Sequence, residues 1–193
     1  MLIFGYGSLV NVEHLQHYLG RNLVPEQDFV FCQLQNYCRC WTAAMDNGIN
    51  VPGYKYYVEK QTGNRPEGVI AFLNIRPCKG QQITGIVFDV SDEELTRLDQ
   101  RERNYRKVDV TAMVKGTFPE KVYAYIGLNE SERRYHEGRK RQKAMISQDY
   151  WDLVYSAYQS LGNDALTGYV DSTEVPSIPI VHLERRQIPE VCA

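Results

Sequence analysis

Leu2-Ile3-Phe4-Gly5-Tyr6-Gly7-Ser8-Leu9 begins as a short apolar run and stops at two alternating glycines. The run reads as a buried strand entering a tight loop. Beyond it, Val12, Leu15, Tyr18 and Leu19 recur at helical spacing, and Gly20 stops the pattern. The Gly-Ser loop is therefore expected between a strand end and a helix start.

That position has chemical content. Alternate glycines let the backbone take conformations barred to other residues, so successive N–H groups can converge on one anion. The following helix start adds partial positive charge, and the Ser8 hydroxyl one more donor. The further glycine and the lysine of nucleotide-binding loops are missing. The same glycines also suit a plain strand-to-helix turn.

A second informative stretch runs from Ser91 to Tyr105. Ser91 followed by Glu94 is a capping box, so a helix starts there. Leu95 and Leu98 set its inward face. Glu102 follows Leu95 at i+7 and Leu98 at i+4, which puts its carboxylate on the same stripe. Glu93, Arg97 and Arg101 fall on other faces, and Asp99 reads as exposed. Burying a carboxylate disfavours its charged form, and a Glu tuned towards neutrality can take and return protons. The alternatives are a Glu102 turned outward at a frayed end or paired with an arginine. Tyr105 begins the next strand; it suits either a pocket wall or the core.

Between the two stretches, strand-like segments cover 28–34, 37–44, 54–59, 67–73 and 83–90, with 107–114 and 121–126 beyond. Asp46-Asn47-Gly48, Pro52-Gly53, Pro66 and Lys79-Gly80 give turn signals among them. A long helical stretch is expected over roughly 131–161, with Tyr150, Trp151, Val154, Tyr155, Tyr158 and Leu161 as its apolar stripe and Gly162 as its stop. Its basic run, Arg133 to Lys143, suits a solvated face or a mobile cover that attracts an anion. The tail, 163–193, contains Val175, Ile178, Ile180, Val181 and Leu183. It is too apolar for disorder and is expected to wrap the domain or a second subunit. One domain spanning 1–193 fits the length, and a homodimer is left open by the tail.

Composition excludes several classes. A net charge of −2 argues against a nucleic-acid or anionic-membrane partner. No apolar run reaches bilayer length and the N-terminus lacks a basic leader, so the expectation is a cytoplasmic protein. Five cysteines, Cys32, Cys38, Cys40, Cys78 and Cys192, are odd in number and irregular in spacing. They read as buried reduced thiols and not as a disulfide framework or metal site. His14 and His17 read as surface residues. The 14 tyrosines favour either a lined cleft or partner surface, or a tyrosine-rich strand core.

The two stretches together, Phe4 to Leu9 and Leu98 to Tyr105, in that order, resemble the γ-glutamylcyclotransferase-like superfamily, with its ChaC-type and AIG2-like relatives. Ile83 to Phe88 is similar to the family strand that precedes the catalytic helix. The resemblance covers roughly residues 2–127. It implies an α+β fold, a small mixed, barrel-like sheet with flanking helices. It implies that Tyr6, Gly7, Ser8 and Leu9, with Tyr105, bind the γ-glutamyl substrate, that Glu102 is the catalytic acid/base, and that neither cofactor nor metal is needed. The implied reaction closes a γ-glutamyl compound to 5-oxoproline and releases an amine. The ChaC-type branch continues its first motif with a tryptophan-containing stretch, whereas Val10-Asn11-Val12-Glu13-His14 stands here. The leaving group is thus open among Cys-Gly, an amino acid and an amine. Rival readings are a binding protein that retains the pocket without turnover, and an interaction module using its tyrosine-rich surface.

Overall fold

A computed structural model describes residues 1–190; Cys192 and the last three positions of the tail lie outside the described residues. In chain order the elements are β1 (Leu2–Gly5), α1 (Val12–Leu19), β2 (Phe29–Asp46), β3 (Lys55–Glu59), β4 (Val69–Asp89), α2 (Asp92–Arg101), β5 (Tyr105–Asp109), β6 (Val122–Gly127), α3 (Asn129–Lys140), β7 (Ala144–Ser147), α4 (Gln148–Ser160), α5 (Asn163–Asp171), β8 (Ile180–Val181) and β9 (Leu183–Gln187).

The molecule is α+β with a mixed seven-stranded sheet. Its order is β5-β6-β1-β4-β7-β8, with β2 also paired to β4. β1 runs antiparallel to β4 and parallel to β6, so the first strand is held on both sides. An isolated bridge between Leu34 and Val114, and a 2.8 Å hydrogen bond from the Lys115 amide to the Gln33 carbonyl, bring the segment after β5 back onto β2. The sheet thereby curls towards a barrel-like form. Phe4, Leu15, Leu34, Ile75, Ile83, Ile86, Leu98 and Tyr158 are almost wholly withdrawn from water in one core shared by the sheet and its helices. Burial of such side chains contributes about 1.5–3 kcal/mol each.

Two expected strand pairs fuse. Segments 28–34 and 37–44 are one strand, β2, and 67–73 and 83–90 are one strand, β4. The Lys79-Gly80 signal marks a wide bulge and not a chain reversal. Gln35 faces Gln82 while Tyr37 faces Pro77, so the residues between Pro77 and Gln82 oppose Asn36 alone. The Asn36 side chain then accepts from the Gly80 amide at 3.0 Å.

The expected long helix over 131–161 divides into α3, β7 and α4. Gly138 sits so close to β4 that a Cβ there would lie 2.6 Å from Val69 Cγ2. The chain leaves the helix through Gln142 at φ 57°, and the Lys143 amide returns to the Gly138 carbonyl at 2.8 Å. Ala144 and Met145 then pair in parallel with Val69 and Ile70. Tertiary pairing thus overrides helical periodicity. The expected strand 107–114 stops at Asp109, and a 3-10 turn follows at Thr111–Met113.

Past Gly162 the chain forms α5, whose Tyr169 stacks on Tyr158 with ring centroids 4.5 Å apart. β9 then pairs with β3 in a separate two-stranded ribbon, with Leu183 fully buried. Among the described residues no helix is long and apolar enough to cross a membrane. Cys38 and Cys40 are buried, Cys32 and Cys78 half-buried, and all four are free thiols.

Candidate active site

The Ser91 box forms as the sequence predicts. Its hydroxyl accepts from the Glu94 amide at 3.2 Å, and Glu94 accepts from the Ser91 amide at 2.7 Å. Leu98 is fully buried and fixes the rotation of α2. Glu102 caps the C-terminal end of the helix at φ −90°, ψ 36°. Its side chain retains only 13% of its exposure, so the carboxylate points inward from the helix end.

It points into a cavity of about 470 Å³. α2, the loop after β1, α1, β3, β4, α4 and β9 all contribute walls to this cavity. Ser8 and Tyr105 line it beside Glu102. Arg101 joins Ser8 to Glu102. Its Nη2 donates to Ser8 Oγ at 2.8 Å, and its Nη1 lies 3.4 Å from Glu102 Oε1. Among the described residues Arg101 Nη1 is buried with no hydrogen-bond partner, although unpartnered buried donors are uncommon. A polar group of a bound molecule would satisfy it.

The loop residues divide. Gly7 packs under Tyr150: a Cβ on it would lie 3.3 Å from the Tyr150 hydroxyl oxygen. With φ −122°, Gly7 serves close approach and not left-handed backbone. No protein acceptor lies within hydrogen-bond range of the Gly7, Ser8 and Leu9 amides among the described residues. They open the short turn Ser8–Val10, as the first amides of a helical turn must. The side chains of Tyr6 and Leu9, by contrast, belong to the core and not to the cavity wall. The Tyr6 hydroxyl donates to the Tyr125 carbonyl at 2.5 Å. Of Tyr6, Gly7, Ser8 and Leu9, Ser8 alone lines the cavity.

Behind the loop stands Arg39, fully buried. Its Nε donates to the Tyr6 carbonyl at 3.1 Å, Nη1 to Ser172 Oγ at 2.6 Å, and Nη2 to the Tyr158 hydroxyl at 2.6 Å and to the Thr84 carbonyl. The Tyr158 hydroxyl donates to the same Tyr6 carbonyl at 2.9 Å. The guanidinium faces the Tyr158 and Tyr169 rings at 4.9 and 5.4 Å. This cluster fastens the base of the glycine loop.

Tyrosines dominate the aromatic wall: Tyr18, Tyr54, Tyr57, Tyr105 and Tyr150. Burial, and then the negative charge of Glu102, pushes the Tyr54 hydroxyl up to about 12. Burial first, then neighbouring tyrosines and Glu102, holds Tyr105 well above its usual value; burial followed by Glu102 raises Tyr150. All keep their protons at neutral pH and can donate hydrogen bonds. The Tyr105 hydroxyl donates to the Leu73 carbonyl at 2.8 Å, and the Tyr54 hydroxyl accepts from Asn104 Nδ2 at 3.0 Å.

Several lining residues escape the sequence reading. Arg101 turns into the cavity and not onto another face. His14 lines it instead of lying at the surface; burial, then Arg101 and other cations, lowers its imidazole to about 4, so it is neutral at physiological pH. Lys55 and Arg185 come from the ribbon, whose pairing joins segments far apart in sequence, and Tyr54 immediately precedes it. Asp99 stays outside, bonded to Lys107 and Tyr125 at 2.7 Å each. Among the described residues no group of three or more His, Cys, Asp or Glu is placed to hold a metal ion.

Sequence comparison supplies the family. The model described as gamma-glutamyl cyclotransferase, AIG2-like, matches residues 3–153. The chain belongs to that family. A solved gamma-glutamyl cyclotransferase aligns over 92% of this chain and 89% of its own length, with a TM-score of 0.56 and 14% identity. The uncharacterized Homo sapiens protein loc79017 aligns over 92% of each chain, with a TM-score of 0.54 and 15% identity. At such identities the two structures attest the fold. No curated protein matches the sequence. The family match takes in the Ser8 loop, α2 with Glu102, and β3. It ends before α5 and β9, so Arg185 lies outside it.

Proposed function

We propose that the protein is a γ-glutamylcyclotransferase that converts a γ-glutamyl compound to 5-oxoproline and a free amine. The observation that carries this reading is a carboxylate, Glu102, withdrawn from solvent and linked through Arg101 to the Ser8 loop in one cavity.

The reaction is intramolecular. The α-amine of the glutamyl group attacks its own γ-carbonyl, a C–N bond forms in the five-membered ring, and the original γ-amide C–N bond breaks. Glu102 takes a proton from the attacking amine and returns it to the departing nitrogen, so no water and no redox partner is consumed. Because both reacting groups belong to one molecule, positioning supplies much of the rate. The three amides at Gly7, Ser8 and Leu9, with Arg101, are suited to hold the glutamyl carboxylate. The protonated hydroxyl of Tyr150 is suited to face the oxyanion that develops at the γ-carbon, while the Tyr105 proton is held by the Leu73 carbonyl.

The test is 5-oxoproline release from glutathione, γ-glutamyl amino acids and γ-glutamylamines. We expect turnover of at least one class, and Glu102→Gln to lower kcat about 10²–10⁴-fold while the folded protein still binds the compound. Binding without turnover in the unaltered protein would make it a binding module on the same fold.

A further inference from the structure

The ribbon of β3 and β9 presents one face to the cavity. Side chains alternate across a strand, so Lys55 and Tyr57 share a face of β3, and Arg185 and Gln187 a face of β9. The register sets Lys55 opposite Gln187 and Tyr57 opposite Arg185. All four residues line the cavity. Lys55 and Arg185 are therefore diagonal neighbours, with Cβ atoms roughly 7–8 Å apart in such an arrangement.

These two cations stand apart from the others in the wall. Arg101 is engaged by Ser8 and Glu102, Arg97 donates to the Leu19 carbonyl at 3.2 Å, and Arg103 donates to the Gln100 carbonyl at 3.0 Å. Lys55 and Arg185 have no carboxylate within 4.0 Å among the described residues. The acids of the same cavity are occupied or peripheral. Asp149 pairs with Lys60 at 2.6 Å, Glu102 with Arg101, and Glu190 lies against Gly53.

Lys55 is also set in an apolar frame. Its ammonium lies 4.2 Å from the centre of the Phe72 ring and 5.7 Å from that of Tyr54. Burial lowers its amine to about 7, against a raising effect from Glu102 and further lowering by Arg101 and Arg185. Lys55 is half-buried, and a lysine partly withdrawn from water without a counter-ion costs stability. A partner that arrives with the substrate would offset that cost and restore the charged form.

We propose that Lys55 and Arg185 seat a carboxylate on the amine half of the substrate, so that this site takes γ-glutamyl amino acids and short γ-glutamyl peptides in preference to γ-glutamylamines lacking an acid. This rests on the reading of the cavity as a γ-glutamyl site. It assigns the ribbon a role in choosing the leaving group, separate from the Ser8 loop that holds the glutamyl half. The choice is electrostatic: an amine without a carboxylate leaves both cations unpaired in the complex.

The experiment measures binding calorimetrically at pH 6 in the Glu102→Gln protein, where ligands are not consumed. The ligands are γ-glutamylalanine, glutathione and γ-glutamylethylamide; the last is γ-glutamylalanine without its second carboxylate. We expect the ethylamide to bind at least tenfold more weakly than γ-glutamylalanine. Adding Lys55→Met or Arg185→Gln should shrink the difference to under threefold by weakening only the acidic ligands. Arg185 is exposed, so its substitution tests the idea even if Lys55→Met misfolds. Equal affinity for the pair, a preference that survives both substitutions, or no binding of either compound would overturn the proposal. Glutathione tracking γ-glutamylalanine extends the seat to peptides, and glutathione tracking the ethylamide overturns that extension. A ribbon-dependent preference with no 5-oxoproline from the unaltered protein would preserve the seat and remove the lactam-forming reading. Equal 5-oxoproline release from γ-glutamylalanine and γ-glutamylethylamide would do the reverse.

Discussion

Ser8 and Glu102 are tied to opposite arms of one guanidinium: Arg101 Nη2 lies 2.8 Å from Ser8 Oγ, and Nη1 lies 3.4 Å from Glu102 Oε1. The loop after the first strand and the end of α2 are thereby set relative to each other by a side chain and not only by backbone packing. Arg101→Met should lower kcat/KM about 10–100-fold, because a charge-assisted hydrogen bond is worth roughly 1.5–3 kcal/mol. Ser8→Ala should cost less, about threefold to tenfold. Steady-state kinetics of 5-oxoproline release measures both, and a larger loss for Ser8→Ala than for Arg101→Met would contradict the bridge.

A methyl group on Gly7 would lie 3.3 Å from the Tyr150 hydroxyl oxygen, so one of the two must give by a few tenths of an ångström. Gly7→Ala should therefore reduce activity about tenfold by displacing either the loop or Tyr150, at a stability cost of about 1 kcal/mol. Tyr150→Phe removes the obstructing oxygen. The double variant should melt higher than Gly7→Ala alone; additive losses in melting temperature would show that the two residues are not in contact.

Arg39 satisfies the Tyr6 and Thr84 carbonyls, Ser172 and Tyr158 from a position without solvent. Arg39→Met leaves several of these buried groups unsatisfied, each at about 1–3 kcal/mol. Unfolding in urea should show a loss of at least about 3 kcal/mol. A loss below about 1 kcal/mol would mean that the cluster repacks or admits water.

Lys55 offers a prediction with a definite sign. Its amine is held at about 7 in the folded protein, against an ordinary 10.5. Between those values the unfolded chain binds a proton that the folded chain does not, so this residue makes stability rise with pH across the window. Lys55→Met should therefore stabilise the protein, and the gain at pH 6 should exceed that at pH 9 by about 2 kcal/mol. Urea unfolding at the two pH values checks this. The groups that set the effect are the aromatic frame of Phe72 and Tyr54, the opposing charge of Glu102, and the like charges of Arg101 and Arg185. Equal stabilities, or a loss on substitution at pH 6, would refute it.

The parts of this fold legible in the sequence are those fixed by neighbours along the chain. The Ser91–Glu94 box, the Leu95–Leu98–Glu102 stripe and the strand–glycine–helix opening depend on local spacing, and all three are present. What stayed hidden depends on distant partners. The helix expected over 131–161 breaks where Gly138 meets Val69 and β7 joins β4, contacts that helical periodicity does not register. The side-chain directions of Tyr6 and Leu9 follow from the core they enter, with the Tyr6 hydroxyl on the Tyr125 carbonyl, and that of Arg101 from the hydroxyl of Ser8. Lys55 and Arg185 face one cavity only because β3 finds β9 across most of the chain.

The proposed reaction requires Glu102 and the Gly7–Leu9 amides to act on one substrate across a single cavity. A crystal structure of the Glu102→Gln protein with bound γ-glutamylalanine tests it most directly. The glutamyl carboxylate should lie on the amides of Gly7, Ser8 and Leu9, with the α-nitrogen within about 3.2 Å of the side chain at position 102. A ligand seated elsewhere, or one whose α-nitrogen turns away from that side chain, would contradict it.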